Sequence, residues 1–248
     1  MDESFAKRIR DLERVSELRD ITKHTGFLTG AEQAEFLQIT GGKGTSFLTG
    51  GHTDAERAMA VFPSSYAEPS EVTSSLISCI RVDPVNRKFA DGLTHRDFLG
   101  ALMNLQIERD CIGDILIKEN TAYIYCVSEM GEVITDGLRR VKHTDVNAAA
   151  VPLSECDIAP DLKEMKVNVA SERLDAVIAA VFKLPRAKAS ELIAGGGVYL
   201  DGREASGNAG KLKERMKISV RGHGKFIYDG IEAESRRGRL FVKLRLYV

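Results

Sequence analysis

Six cations in the C-terminal third have the chemistry and spacing to hold phosphate: Arg173, Arg186, Lys188, Lys211, Lys213 and Arg215. Arg173 and Arg186 fall at the starts of two predicted helices, where a guanidinium offers a rigid fork of donors to an anion. The lysines would act as point charges. Asp175 would repel phosphate, so its expected task is to orient a neighbouring arginine. A second tier comprises His95, Arg96, Arg139, Arg140 and Lys142 in the middle of the chain. Arg236, Arg237, Arg239, Lys243 and Arg245 near its end complete that tier. His95 beside Arg96 at a helix start either binds phosphate or bonds locally.

Other reactive residues fail their spacing tests. The five histidines show no close metal-ligand spacing. Cys79, Cys111, Cys126 and Cys156 form no Cys-x-x-Cys pair and read as reduced core residues. The glycine-rich stretch 40–51 lacks phosphate-loop spacing, because Gly44 separates Lys43 from Thr45, and reads as a tight hairpin. Gly195–Gly197 follows a helix rather than a strand, so it is no dinucleotide turn. Two strings, Arg81-Val82-Asp83 and Arg173-Leu174-Asp175, are the nearest approach to the Arg-Leu-Asp setting of a pseudouridine synthase. Neither has a large mixed sheet predicted around it. No catalytic residue, metal site or cofactor is expected, and an RNA-modifying enzyme that docks its substrate through the C-terminal module is the alternative.

The formal charge of −1 conceals a division. Residues 1–165 hold 18 Lys+Arg against 27 Asp+Glu, net −9, whereas residues 166–248 hold 17 against 9, net +8. The basic part has the footprint of a polyanion binder. Met1–Ser4 lacks a basic-then-apolar signal, and no apolar run reaches the roughly 18 residues of a membrane span. A cytoplasmic location without membrane contact is therefore expected.

The elements that must position these groups can be read from periodicity. Residues 1–39 read as helical, with Phe5, Ile9, Leu12, Val15 and Leu18 on one stripe and a second short helix from Ala31 to Leu37. Asp54 is placed to cap a helix that carries Arg57 and runs to Pro63. From Val72 the order is a strand over 76–82, a helix opened by Thr94 and Asp97, a hairpin over 115–127, a helix over 131–138 and a strand over 148–153. That order predicts a small α+β sandwich of the ferredoxin or RNA-recognition kind, with Tyr123 and Tyr125 on one face where bases can stack. Pro152–Pro160 reads as a linker. Beyond it, Ser171 is placed to cap a helix through Leu174, Val177, Ile178, Val181 and Phe182, and Pro185 starts another. Val198–Leu200 and Lys217–Val220 form a hairpin. From Arg239 to Val248 apolar residues alternate with Arg, Lys and aromatics, predicting a strand whose polar face is either solvated or an extension of the phosphate surface.

Three blocks in this last region, 171–175, 184–193 and 197–202, resemble the S4-type RNA-binding domain. Pro185 stands where that family often has Ser, and Asp201 where it often has Asn. The whole chain is similar to the bacterial YlmH-like S4-domain proteins through Gly50–Arg57, His95–Leu102, Ile112–Ile115 and the C-terminal blocks. The resemblance implies an α+β protein of three parts: a helical region with a glycine-rich hairpin (1–71), an RNA-recognition-like domain (72–155) and an S4-like module with a C-terminal β-hairpin (166–248). It further implies association with ribosomal RNA and the large ribosomal subunit, with tRNA as a further partner, in ribosome rescue and quality control; a monomer is expected.

Overall fold

In the computed structural model, which describes residues 3–41, 44–53, 55–156, 158, 162–207, 212–235 and 238–247, the chain divides into two units, Met1–Ile158 and Ala159–Val248. Helices and strands are mixed in both, as an α+β reading requires.

The first unit opens with α1 (Glu3–Arg19), β1 (Lys23–Leu28), α2 (Gly30–Thr40), β2 (Phe47–Thr49), β3 (Ala58–Phe62) and α3 (Pro69–Leu76). Two expectations are corrected here. The stretch to residue 39 is not continuously helical: Asp20, at φ 49°, ends α1, and β1 follows. Its stripe accordingly stops short, with Ile9 fully buried but Leu18 74% exposed. Nor does a helix run to Pro63. Ala58–Phe62 is buried at every position and lies centrally in a three-stranded sheet of order β1-β3-β2. A five-residue apolar run without polar alternation suits a strand covered on both faces, and periodicity alone does not separate it from a buried helix. Asp54, the expected cap, lies outside the described residues, as do Gly42 and Lys43.

The unit continues with β4 (Ile77–Pro84), α4 (His95–Asn104), β5 (Ile112–Lys118), β6 (Thr121–Val127), α5 (Gly131–Gly137), β7 (Arg140–Val141) and β8 (Thr144–Val151). Their sheet order is β5-β6-β4-β8-β7, giving the β-α-β-β-α-β connectivity of a split βαβ fold. The Asp97 carboxylate accepts from the Thr94 N–H at 2.9 Å and from its hydroxyl at 2.7 Å, which starts α4. Glu119 and Asn120, both at positive φ, make the two-residue turn between β5 and β6. One sheet face buries Ile80, Val82, Ile124 and Cys126 beneath Phe98, Leu102 and Ile134 of α4 and α5. Burial drives the Cys126 thiol up to about 12, as it does that of Cys79 on the other face.

That second face was the predicted stacking surface. The structure closes much of it: Phe27, Met59, Val61 and Val72 from the N-terminal segment pack on Ile77, Cys79, Tyr125 and Val127. Tyr125 is fully buried, and only Tyr123 remains half-exposed. Residues 1–71 and 72–155 therefore share one unit, because each leaves an apolar face that the other covers.

Gly51 records how tight this seam is. It sits at φ 84°, and a Cβ there would lie 2.9 Å from Tyr125 Cδ1 and 3.0 Å from Ile77 Cγ2. Gly51→Ala is expected to destabilise the first unit by about 2–4 kcal/mol through left-handed strain and overpacking. Chemical denaturation checks this, and an unchanged midpoint would contradict the close seam.

The second unit comprises β9 (Leu162–Val169), α6 (Leu174–Val181), α7 (Arg186–Ala194), β10 (Val198–Leu200), β11 (Arg203–Glu204), β12 (Met216–Val220), β13 (Gly224–Glu234) and β14 (Leu240–Tyr247). The antiparallel sheet runs β11-β10-β12-β13-β14-β9. Both helices set their apolar sides, Leu174, Val177, Ile178, Val181, Ala189 and Ile193, against Ile218, Phe226, Tyr228, Val242 and Leu244. The predicted alternation of β14 holds, since Val242 and Leu244 are fully buried. Ser171 does not cap α6. The helix begins at Leu174, with Arg173 extended at the cap position.

Candidate nucleic-acid interface

Asp175, in the first turn of α6, is only 2% exposed. Its Oδ1 lies 3.0 Å from Arg173 Nε and its Oδ2 lies 2.8 Å from Arg186 Nε. Burial opposes the charge on this carboxyl. The hydrogen bonds from Arg186 and Arg173 outweigh that cost and hold it below the usual aspartate range. The predicted orienting task is what the geometry shows.

The consequence lies in which nitrogens are used. Among the described residues, each arginine bonds Asp175 through its Nε and leaves both Nη groups for another acceptor. The Arg173 and Arg186 side chains are about half exposed, at 45% and 51%. A nearly buried carboxylate thus fixes the inner edge of two planar forks, and their outer edges face solvent. Such an arrangement pre-sets the donor geometry that planar, two-point phosphate recognition needs.

The other primary candidates are less constrained. Lys188 Nζ is 3.2 Å from Glu191 on the exposed side of α7, an i,i+3 pair of small energetic value. Lys213 and Arg215 are exposed just ahead of β12, and no recorded contact joins them to the arginine pair. Lys211 lies outside the described residues. Sequence reasoning missed Arg221, exposed in the turn after β12, whose Nη2 donates to the Tyr199 hydroxyl at 3.3 Å. Its Arg-Gly-His-Gly setting is the signal that marks a cationic turn.

The cations of the last strand are held across the sheet. Arg245 makes a two-point pair with Asp229 at 2.8 and 2.9 Å, Lys243 lies 3.5 Å from Glu164, and Arg239 donates to Asn168. The exposed Lys243–Glu164 pair contributes at most about 1 kcal/mol, whereas the two-point Arg245–Asp229 pair is largely buried and holds its cation in the sheet. Arg236 and Arg237 lie outside the described residues.

In the first unit, His95, Arg96, Arg139, Arg140 and Lys142 are all exposed. Arg140 lies 3.8 Å from Asp145, and Lys142 and Arg96 both act on the Asp97 charge. The block Gly50–Arg57 has a different role from surface contact. The Asp114 carboxylate, 8% exposed, accepts from His52 Nε2 at 3.0 Å and from the backbone N–H groups of Glu56 at 2.7 Å and Arg57 at 3.1 Å. Arg57 turns its guanidinium to the carbonyls of Phe27, Arg109 and Ile112. Burial lowers its pKa, and burial likewise opposes the Asp114 charge, which these hydrogen bonds nonetheless keep below its ordinary value. Asp83 is similarly occupied, by Thr121 at 2.7 Å, Arg81 at 2.8 Å and Arg87 at 3.1 Å. Both Arg-x-Asp strings thus end in an aspartate committed to ion pairs.

Comparison with known proteins carries the argument further. A family model described as "Putative RNA-binding domain in YlmH" matches residues 77–155, the segment that forms the split βαβ fold. A Bacillus subtilis (strain 168) protein named ribosome-associated protein quality control protein P2 is 26% identical over 243 residues, spanning 96% of this chain and 92% of that one. The solved structure of the cell division protein ylmH from Streptococcus pneumoniae aligns with a TM-score of 0.52. It covers 64% of this chain and 94% of that one, at 24% identity, and shows a likeness of fold.

The chain is similar to the YlmH-like proteins, and its residues 77–155 match the model of their RNA-binding domain.

Within that frame the resemblance residues separate into two kinds. His52, Arg57 and Asp114 bond within the first unit and hold it together, whereas Arg173 and Arg186 are half-exposed. No helix among the described residues is long and apolar enough to cross a membrane.

Proposed function

We propose that this protein is a ribosome-associated RNA-binding protein that grips ribosomal RNA of the large subunit through its C-terminal, S4-like unit. The observation that carries the reading is the pair of half-exposed arginines locked by the nearly buried Asp175. Its energetics would be mainly electrostatic, with phosphates on Arg173 and Arg186 and added charge from Lys188, Lys211, Lys213 and Arg215. The similarity to a relative named for ribosome-associated quality control supports a task in ribosome rescue, with peptidyl-tRNA on the large subunit as a second contact. A monomeric, cytoplasmic protein without cofactor fits this task. The engagement of Asp83 and Asp175 in ion pairs favours binding over base modification.

Titrating the purified protein with large-subunit ribosomal RNA at several salt concentrations tests this. Each neutralised phosphate contributes roughly −0.7 to −0.9 to the slope of log affinity against log salt. A slope of about −3 or steeper is expected, and a salt-insensitive affinity would overturn the reading.

A further inference from the structure

The split βαβ fold commonly presents nucleic acid to its open sheet face, and here much of that face is closed. Phe27, Met59 and Val61 cover Tyr125, and what remains exposed beside Tyr123 is Arg81, paired with Asp83 at 2.8 Å and with Glu155 at 3.4 Å. Two carboxylates against one guanidinium make a poor phosphate surface.

A group of positive charges lies instead at one end of the sheet. The segment after β4, the start of α4 and the β7–β8 turn converge there. Asp91 fastens them, accepting from the His143 N–H and the Thr144 hydroxyl, both at 3.3 Å. Lys88, Arg96, Arg139 and Lys142 are exposed at this end, and among the described residues none of the four forms an ion pair. Phe89, next to Lys88 in the segment after β4, is 79% exposed, with Lys88 Nζ 5.9 Å from its ring centroid. An aromatic ring held out in water beside Lys88, at an end that carries three further exposed cations, two of them acting on the Asp97 charge, has the composition of a stacking platform for an unpaired base with flanking phosphates.

We propose that this end of the first unit, and not its sheet face, is a second RNA contact, in which an unpaired nucleotide stacks on Phe89 and neighbouring phosphates meet Lys88, Arg96, Arg139 and Lys142. The inference rests on the RNA-binding reading above and adds to it a second contact of different chemistry. The C-terminal arginines hold phosphate by fixed forks, whereas this end adds base stacking without sequence readout.

The full-length protein is titrated with a short fluorescein-labelled oligouridylate, and separately with large-subunit ribosomal RNA. Phe89→Ala, and the double variant Arg96→Ala with Lys142→Ala, are each expected to weaken oligouridylate binding about fivefold or more. These side chains are exposed, so the fold is unaffected. Wild-type affinity for oligouridylate in both variants overturns the second contact. If Arg186→Ala still weakens binding to the ribosomal RNA in that case, the C-terminal reading stands without it. If the wild-type protein binds neither probe, both readings fall together.

Discussion

Replacing Arg186 with Ala is expected to lower affinity for large-subunit ribosomal RNA by about tenfold to a hundredfold, leaving the protein folded. The loss corresponds to one charge-assisted contact, about 1.5–3 kcal/mol. Asp175 keeps Arg173 as a partner, so no buried charge is orphaned. Arg186→Lys should fall between, because it keeps the charge but loses the fork. Removing both arginines is a different experiment. It leaves Asp175, 2% exposed, as an unpaired buried carboxylate, and the second unit should then lose about 3 kcal/mol or more of stability. Adding Asp175→Asn to that double variant should restore much of the stability without restoring RNA binding. Thermal melts and RNA titrations on the same four proteins separate the two effects. If Arg186→Ala binds with full affinity, the phosphate site lies elsewhere. If the double variant is as stable as wild type, Asp175 is less dependent on its partners than the geometry requires.

Asp114→Ala is expected to destabilise the first unit by about 3–5 kcal/mol, the cost of breaking a buried charged network. The carboxylate accepts from His52 and from two backbone N–H groups, and the adjoining Arg57 ties the same loop to the carbonyls of Phe27, Arg109 and Ile112. Truncation leaves those donors buried without an acceptor. Acid should act on the same node. The Asp114 carboxyl is held below its ordinary value in the fold, so its stabilisation is present above the unfolded value of roughly 3.9. It is lost as pH falls through the lower folded value. Denaturation midpoints measured from neutral pH down to about pH 3 should therefore drop more steeply in the wild type than in Asp114→Asn. Parallel curves would remove Asp114 from the explanation of acid sensitivity.

The two nodes differ in how much of each was readable beforehand. Arg173, Asp175 and Arg186 stand at helix starts that patterning located to within a few residues, and like-charge and opposite-charge reasoning gave Asp175 its task. The helix start itself was misplaced at Ser171, because a plausible capping side chain says nothing about where the apolar face must begin. The Asp114 node was hidden. His52 and Arg57 lie dozens of positions before Asp114, and no local pattern brings a loop onto a strand. Strands β1 and β3 were missed for a related reason. Each is short, apolar or glycine-containing, and becomes a strand only by pairing with a segment distant in sequence: β1 with β3, and β3 with both β1 and β2.

Local chemistry in this chain determined the charge division, the two phosphate-suited arginines, the split βαβ order and the alternation of β14, because each depends on residues close in sequence. Tertiary structure decided what those features face. It buried Tyr125 beneath the N-terminal segment, drew Asp83 and Asp175 into ion pairs, and spent the cations of β14 on neighbouring strands. Which side of a sheet is open, and which nitrogen of an arginine is free, are properties of long-range packing, and no local pattern carries them.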